Sequence, residues 1–225
     1  MLDNVIWSAL TTRQTHLALG GERARRYPAD MAPFLGTVDA SPESTAAMAE
    51  LIEPGETLYV AGVAPDLPPG VTAERLPPIA QMVFVGRIAP PASDEGVAVL
   101  GPGDAPDMID LMAEVYPGYF RPRTPEMGMY LGVRQGGLLV AMAGQRMCLD
   151  GHREISGVAT RPEARGKGHA SRLVALLVGA ILREGLTPFL HVDADNAVAR
   201  SAYENAGFVR RRDVEFFRVR RDLAP

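Results

Sequence analysis

Cysteine is nearly absent from this chain of 225 residues: Cys148 stands alone, so neither an internal disulfide nor a cysteine-rich metal site can form. A reducing compartment agrees with that scarcity. Long apolar runs are missing as well, since no stretch reaches the roughly 18 residues that a membrane-spanning helix needs. The opening Met1-Leu2-Asp3-Asn4-Val5-Ile6-Trp7 has no basic segment followed by an apolar one, and the expectation is a cytoplasmic protein with no membrane partner. Positive charge is not in excess: the net charge is −4 and the pI near 5.6, so no overall basic field gathers nucleic acid. Arg210, Arg211, Arg212, Arg218, Arg220 and Arg221 cluster near the end without interleaved stacking residues, which reads as a solvated face and predicts no nucleic-acid partner.

What remains is enough to fold. A hydrophobic content of 47% builds a buried core, and the length suits one large domain or two small ones. Organisation changes near residue 90. Before it, Pro65-Asp66-Leu67-Pro68-Pro69-Gly70 and Pro77-Pro78 interrupt short apolar pieces, and proline breaks helices and central strands alike. A helix over 42–52 capped by Ser41 and strands over 57–61 and 79–85 are expected there. The segment Ala89-Pro90-Pro91-Ala92-Ser93-Asp94-Glu95-Gly96 reads as a linker, dividing an accessory α/β region, 1–92, from a second domain, 96–225.

The second half is more regular. A short strand over 97–100 precedes Met108, Leu111, Met112 and Val115, whose i, i+3, i+4, i+7 spacing predicts an amphipathic helix from about 105 to the stop at Pro117-Gly118. No clean period covers 119–129, which is read as a loop. Strands are expected over 130–134, 138–148 and 152–160, joined by the turn signals Gln135-Gly136-Gly137 and Asp150-Gly151. Leu173, Leu176, Leu177, Ala180 and Ile181 then mark a helix stopped by Gly185. A strand over 187–192, a helix over 197–205 and a strand over 214–220 complete a β-α-β-β-β-α-β-α-β order. The fold class is therefore α/β in the α+β sense, a mostly antiparallel mixed sheet covered by helices. The first half is compatible with an eroded copy of the second.

Chemistry concentrates in Arg165-Gly166-Lys167-Gly168-His169-Ala170, which follows the strand ending Val158-Ala159-Thr160 and opens a helix. It is not a Walker loop, because Arg161 stands where the first glycine belongs and Gly168 follows the lysine. Nor is it a dinucleotide fingerprint, because Ser171 holds the third glycine place and a meander precedes it. Gly166 and Gly168 still allow backbone N–H groups to approach a diphosphate, the helix start adds unpaired N–H groups and a positive dipole end, and Arg165 and Lys167 add charge. His169 is placed at the first helical turn, touching phosphate by backbone alone. Further on, Asn196, Ala199 and Tyr203 fall at i, i+3 and i+7 on one helix face, a small residue between two polar ones. A second reading of the same residues is a helix cap, from Asn196 or Asp195, and a core tyrosine.

Arg-x-x-Gly-x-Ala at residues 165–170, followed by Asn-x-x-Ala-x-x-x-Tyr at 196–203 and Gly207-Phe208, resembles the GNAT superfamily of acyl-CoA-dependent N-acyltransferases over about 96–220. Arg123-Thr124-Pro125-Glu126 and Glu154-Ile155-Ser156-Gly157-Val158 resemble a prokaryotic subgroup with a C-terminal GNAT domain and an extra N-terminal region. The resemblance implies a GNAT fold with acetyl-CoA or another short acyl-CoA as co-substrate and no metal. It implies that Arg165, Gly166, Lys167, Gly168, His169 and Ala170 hold the diphosphate, that the backbone of Val158, Ala159 and Thr160 pairs with pantetheine amides, and that Asn196 and Ala199 lie along that arm. It also gives Tyr203 the role of acid for the departing thiolate.

An amine acceptor needs a base, and Glu154 is the first candidate, four residues before Val158 on the same strand face; Glu126 is the second. Cys148 lacks a paired histidine motif for covalent transfer, and His191, Asp193 and Asp195 lack further spaced ligands for a metal. The aromatic and basic stretch Tyr116, Tyr119, Phe120, Arg121 and Arg123 is the expected acceptor wall, the arginines suiting a carboxylate or the CoA 3′-phosphate. The function expected is transfer of an acetyl or short acyl group to a primary amine of a small-molecule or amino-acid-like acceptor. The N-terminal region would shape the acceptor pocket or a homodimer contact; the alternative is a non-catalytic acyl-CoA-binding or sensing module.

Overall fold

The computed structural model describes residues 1–62, 67, 69–86 and 94–223. In chain order it forms α1 (Val5–Thr11), the short strands β1 (Leu19–Gly20), β2 (Ala24–Arg26) and β3 (Leu35–Thr37), α2 (Pro42–Glu50), β4 (Thr57–Ala61) and β5 (Val71–Phe84). Then follow β6 (Val97–Leu100), α3 (Ala105–Val115), β7 (Tyr130–Gln135), β8 (Leu138–Leu149), β9 (His152–Thr160), α4 (His169–Arg183), β10 (Thr187–Asp193), α5 (Ala197–Asn205) and β11 (Phe208–Arg221). β1, β2 and β3 make a small sheet of their own. The main sheet runs β4-β11-β5-β10-β9-β8-β7-β6. Its described pairings are antiparallel except β9 with β10. Among the described residues no helix is long and apolar enough to cross a membrane.

Strand alternation assigns the two faces. On β10, Leu190 and Val192 join the cluster that α4 builds from Leu173, Val174, Leu177, Val178 and Ile181, while Phe189 joins the opposite cluster with Val5, Ile6, Ala9 and Leu10 of α1. Each fully buried aliphatic side chain contributes about 1.5–3 kcal/mol, so α4 is held by its apolar stripe far more than by its caps. A third cluster seats Met108, Leu111 and Met112 of α3 on Tyr130, Met142 and Ala159. Ser41 caps α2 by accepting from the Ser44 N–H, as its place before Pro42 predicts.

β4 and β5 come from the first half of the chain yet lie in the main sheet, where β5 separates β10 from β11. The expected division at 92/96 falls beside residues 87–93, outside the described residues. β5 corrects one expectation, since Pro77 and Pro78 lie inside a strand of 14 residues instead of ending one. The neighbours explain it. Against β11 the register shifts between the pairs Val214↔Ile79 and Phe216↔Leu76, and β10 pairs with β5 only from Ile79 onward, so the prolines occupy a bulge where missing N–H donors leave no ladder bond broken. β11 is also longer than the expected 214–220, because Arg211 and Arg212 pair with Asp3 and the arginine-rich start stays in the sheet.

One feature of the sheet positions the site. β9 and β10 pair from His152↔Thr187 to Ile155↔Leu190 and then part. Both remain held on their outer flanks, β9 by β8 as far as Thr160↔Ala141 and β10 by β5 as far as Asp193↔Ile79. The backbone edges facing each other beyond Ile155 and Leu190 therefore lack a strand partner. A bulge in β9 contributes: Gly144↔Ser156 and Met142↔Ala159 leave an extra residue on β9, with Gly157 at φ +61°.

Candidate active site

A cavity of about 860 Å³ runs through this opening, within the range of small-ligand sites. On the α4 side it is lined by Arg165, Gly166, Gly168, His169 and Ala170, by Val158 and Thr160, and by Asn196, Ala199 and Tyr203. Most of the residues the sequence nominates for one ligand thus meet in one place. Two stand apart. Ala159 packs into the α3 cluster, leaving only its backbone for the site, and Lys167 is exposed beside the lining.

The loop is shaped for anion contact by backbone. Gly166 and Gly168 have φ of +76° and +75°, and a Cβ on either would meet nothing within 4 Å, so conformation and not crowding requires glycine there. Helix geometry leaves the N–H groups of His169, Ala170 and Ser171 without intrahelical acceptors; the first bond returns from the Arg172 N–H to the Gly168 carbonyl at 3.1 Å. Arg165 Nε donates to the Thr160 carbonyl at 3.2 Å, tying the loop to the end of β9. Thr160 Oγ1 and His169 Nε2 are buried in the same lining and have no partner among the described residues.

Asn196 caps α5, its side chain accepting from the Ala199 N–H at 3.0 Å, so the capping reading of Asn196 holds together with its place in the cavity wall. Tyr203 packs edge-on against Phe208, and burial pushes its phenol up to about 12. It therefore stays protonated at neutral pH and can donate.

Comparison with known proteins decides the family. A family model described as FR47-like protein matches residues 130–217. A crystal structure from Novosphingobium aromaticivorans, described as an acetyltransferase from the GNAT family, is 34% identical over 98% of both chains with a TM-score of 0.89. The chain belongs to the GNAT family of acetyltransferases. A GCN5-related N-acetyltransferase from Kribbella flavida shares the fold at 16% identity, covering 94% of this chain and 95% of its own, with a TM-score of 0.60. An acetyltransferase from Colwellia psychrerythraea shares it at 14% identity, 88% and 85% coverage and a TM-score of 0.54. No curated protein matches the chain.

On the other side of the opening the cavity is walled by Val5, Ile6, Phe34, Tyr116, Tyr119 and Phe216. Phe34, Tyr119 and Tyr116 stack successively, at 6.3 Å and 5.3 Å between ring centroids. Polar groups are few: Thr124, Arg146, Ser156, His191 and Asp193. Tyr116 donates to Asp193 Oδ1 at 3.0 Å, and burial followed by the Asp193 charge pushes its phenol up to about 12. Asp193 is the one carboxylate in the lining among the described residues.

The expected base candidates fall elsewhere. Glu154 is fully buried beneath the cavity and accepts from Arg146 Nε and Nη2, both at 2.9 Å, and from His191 Nδ1 at 2.9 Å. Burial alone would raise its carboxyl, but the Arg146 charge and these hydrogen bonds outweigh burial and hold it at about 2. It is a neutralised structural anion, which corrects its assignment as base. Glu126 is ion-paired with Arg123 on the surface and does not line the cavity. Arg121 and Arg123 are outside the lining too, so the arginine half of the expected acceptor wall is displaced while Tyr116, Tyr119 and Phe120 belong to it. Cys148 is buried, and burial pushes its thiol up, away from nucleophilic use.

His191 is also fully committed. Its Nε2 lies 3.1 Å from Gln81 Nε2, and the orientation of Gln81 is settled by its other partners: Nε2 donates to the Leu2 carbonyl, and Oε1 accepts from Arg211. Both ring nitrogens of His191 are thus engaged, Nδ1 with Glu154 and Nε2 with Gln81. Sequence reading missed Arg146 and weighed Asp193 only as a metal ligand; their positions across β8 and β10 bring them to one wall.

Proposed function

We propose that this acetyltransferase moves an acetyl or short acyl group from acyl-CoA to a primary amine of a small molecule by direct attack. The observation that carries the proposal is the continuity of one cavity across the β9/β10 opening, with a backbone anion cradle at one end, an aromatic chamber at the other and Tyr203 in the wall. Acyl-CoA supplies the activated thioester and the phosphates for the cradle. The N–H groups of residues 166–171 receive the diphosphate. The unpaired edge of β9 after Ile155 is placed to bond the pantetheine amides as an added strand would.

On the acceptor side, Asp193 holds the incoming ammonium and passes its proton to solvent, and Tyr116 fixes the carboxylate by donating to Oδ1. Tyr203 gives a phenolic proton to the departing sulfur. The N–C bond forms as the C–S bond breaks. One amine proton leaves through Asp193, and a second replaces the proton that Tyr203 has lost.

Thiol release measured with acetyl-CoA and a panel of small primary amines tests the proposal. The expected result is release that depends on the amine and yields the N-acetyl product. Tight acetyl-CoA binding without release for any amine would make the chain a binding or sensing module. Release that is independent of amine would make it a thioester hydrolase.

A further inference from the structure

Arg26 and Arg146 are each ion-paired with a glutamate, and they are used differently. Arg26 spends every nitrogen on the protein: Nε donates to the Tyr27 carbonyl, Nη1 to the Leu51 carbonyl and Glu56, and Nη2 to Glu56. It lies outside the cavity and serves the fold. Arg146 spends two, Nε and Nη2, on Glu154. Its Nη1 has no partner among the described residues, and it is not one of the buried atoms sealed from solvent. Arg146 lines the cavity, with its guanidinium 4.5 Å above the ring centre of Phe34.

A guanidinium this deep is costly unless something is gained, because an ion pair replaced by apolar side chains of equal volume is usually neutral or better for stability. Glu154 cancels the charge and fixes the fork through two parallel bonds, and His191 holds Glu154 from the other side. The result is an aimed cation with one open edge on an otherwise aromatic chamber, facing the same space as Asp193 and Tyr116. A group that satisfies the open N–H pair is a carboxylate. Asp193 across the chamber suits an ammonium, and Phe34, Tyr119 and Phe216 suit an apolar body.

We propose that Arg146 anchors the carboxylate of the acceptor, so that the acceptor is an α-amino acid, or a close relative, with an apolar or aromatic side chain. This rests on the N-acetyltransferase reading given above. Glu154 is a positioning residue in it, acting only through Arg146.

The test compares leucine and phenylalanine with the matching amines that lack the carboxylate, 3-methylbutylamine and 2-phenylethylamine, as acceptors for the full chain with acetyl-CoA. Amino acids are expected to exceed their amines by about 100-fold in kcat/KM, as for a buried charge pair deprived of one partner. Arg146→Lys keeps the charge without the fork and is expected to lose roughly tenfold of that preference. Because Arg146→Met alone strands Glu154, the charge-balanced pair Arg146→Met with Glu154→Gln is the second variant, expected to bring the ratio near one while its circular dichroism stays that of the parent. Equal turnover of amines and amino acids by the parent, or a preference that survives in the double variant, overturns the proposal and leaves the N-acetyltransferase reading intact. If no acceptor is turned over, calorimetric titration in the presence of CoA decides: N-acetyl-leucine binding at least about tenfold tighter than N-(3-methylbutyl)acetamide upholds the carboxylate anchor while the catalytic reading falls. Equal binding removes both.

Discussion

The α4 end of the cavity is lined by one short stretch, residues 165, 166 and 168–171, whereas the far end gathers Val5, Phe34, Tyr119, Arg146, Asp193 and Phe216 from across the whole chain. Backbone recognition needs few side chains but strict conformations, here two glycines at positive φ before a helix start. Side-chain recognition needs no particular local order. One end of the cavity is therefore legible in one short phrase of sequence, and the other only in tertiary structure.

Tyr203 lines the α4 side of the cavity, and its loss should separate chemistry from binding most strongly. Tyr203→Phe is expected to lower kcat about 100-fold or more with the KM for acetyl-CoA within about twofold, measured by initial-rate thiol release. A parallel rise in KM would move Tyr203 to the binding side of the comparison.

The acceptor end depends on a buried charge network, and acid should expose that dependence. The Glu154 carboxyl is held at about 2 in the folded protein against 4.5 when free, so its contribution is complete above 4.5 and disappears as pH falls through the folded value. Chemical denaturation from pH 7 to 2 should show a loss on the order of 3 kcal/mol from this group. Glu154→Gln should start less stable at pH 7 and lose less below 4.5. Equal slopes for parent and variant would remove Glu154 from the account.

Smaller effects should fall on one end at a time. Gly168→Val forces a β-branched residue to φ near +75° and is expected to cost about 1–2 kcal/mol, seen as a roughly tenfold higher KM for acetyl-CoA with the acceptor KM unchanged. Phe34→Leu keeps an apolar wall but removes the stacked face, and should raise the acceptor KM about threefold to tenfold with no effect on acetyl-CoA. Either variant moving both constants together would mean that the two ends are not separable.

The same contrast explains what could be read in advance. The helices over 105–115 and 197–205, the strand over 152–160 and the residues that line the α4 end were legible, because apolar period and glycine placement are local signals. Of β5 only the part from Ile79 was, because Pro77 and Pro78 are tolerated only through a bulge whose partner, β11, lies more than a hundred residues away. Glu154 was placed on the correct strand and misassigned in role. Strand alternation gives its face, but nothing near it in sequence shows that Arg146 and His191 close on it from neighbouring strands. Gly157 carried a usable hint, since a glycine within a strand pattern marks a bulge, and that bulge helps to open β9 from β10.

Amide hydrogen exchange with and without CoA tests the central claim most directly, because it reads the donor end without knowledge of the acceptor. Residues 158–160 and 166–171 carry backbone groups that the fold leaves without strand or helix partners, and both segments should exchange more slowly when CoA is bound, while α1 and the aromatic chamber change little. Unchanged exchange in both segments at saturating CoA, or protection confined to the chamber, would contradict a cofactor threaded through the β9/β10 opening.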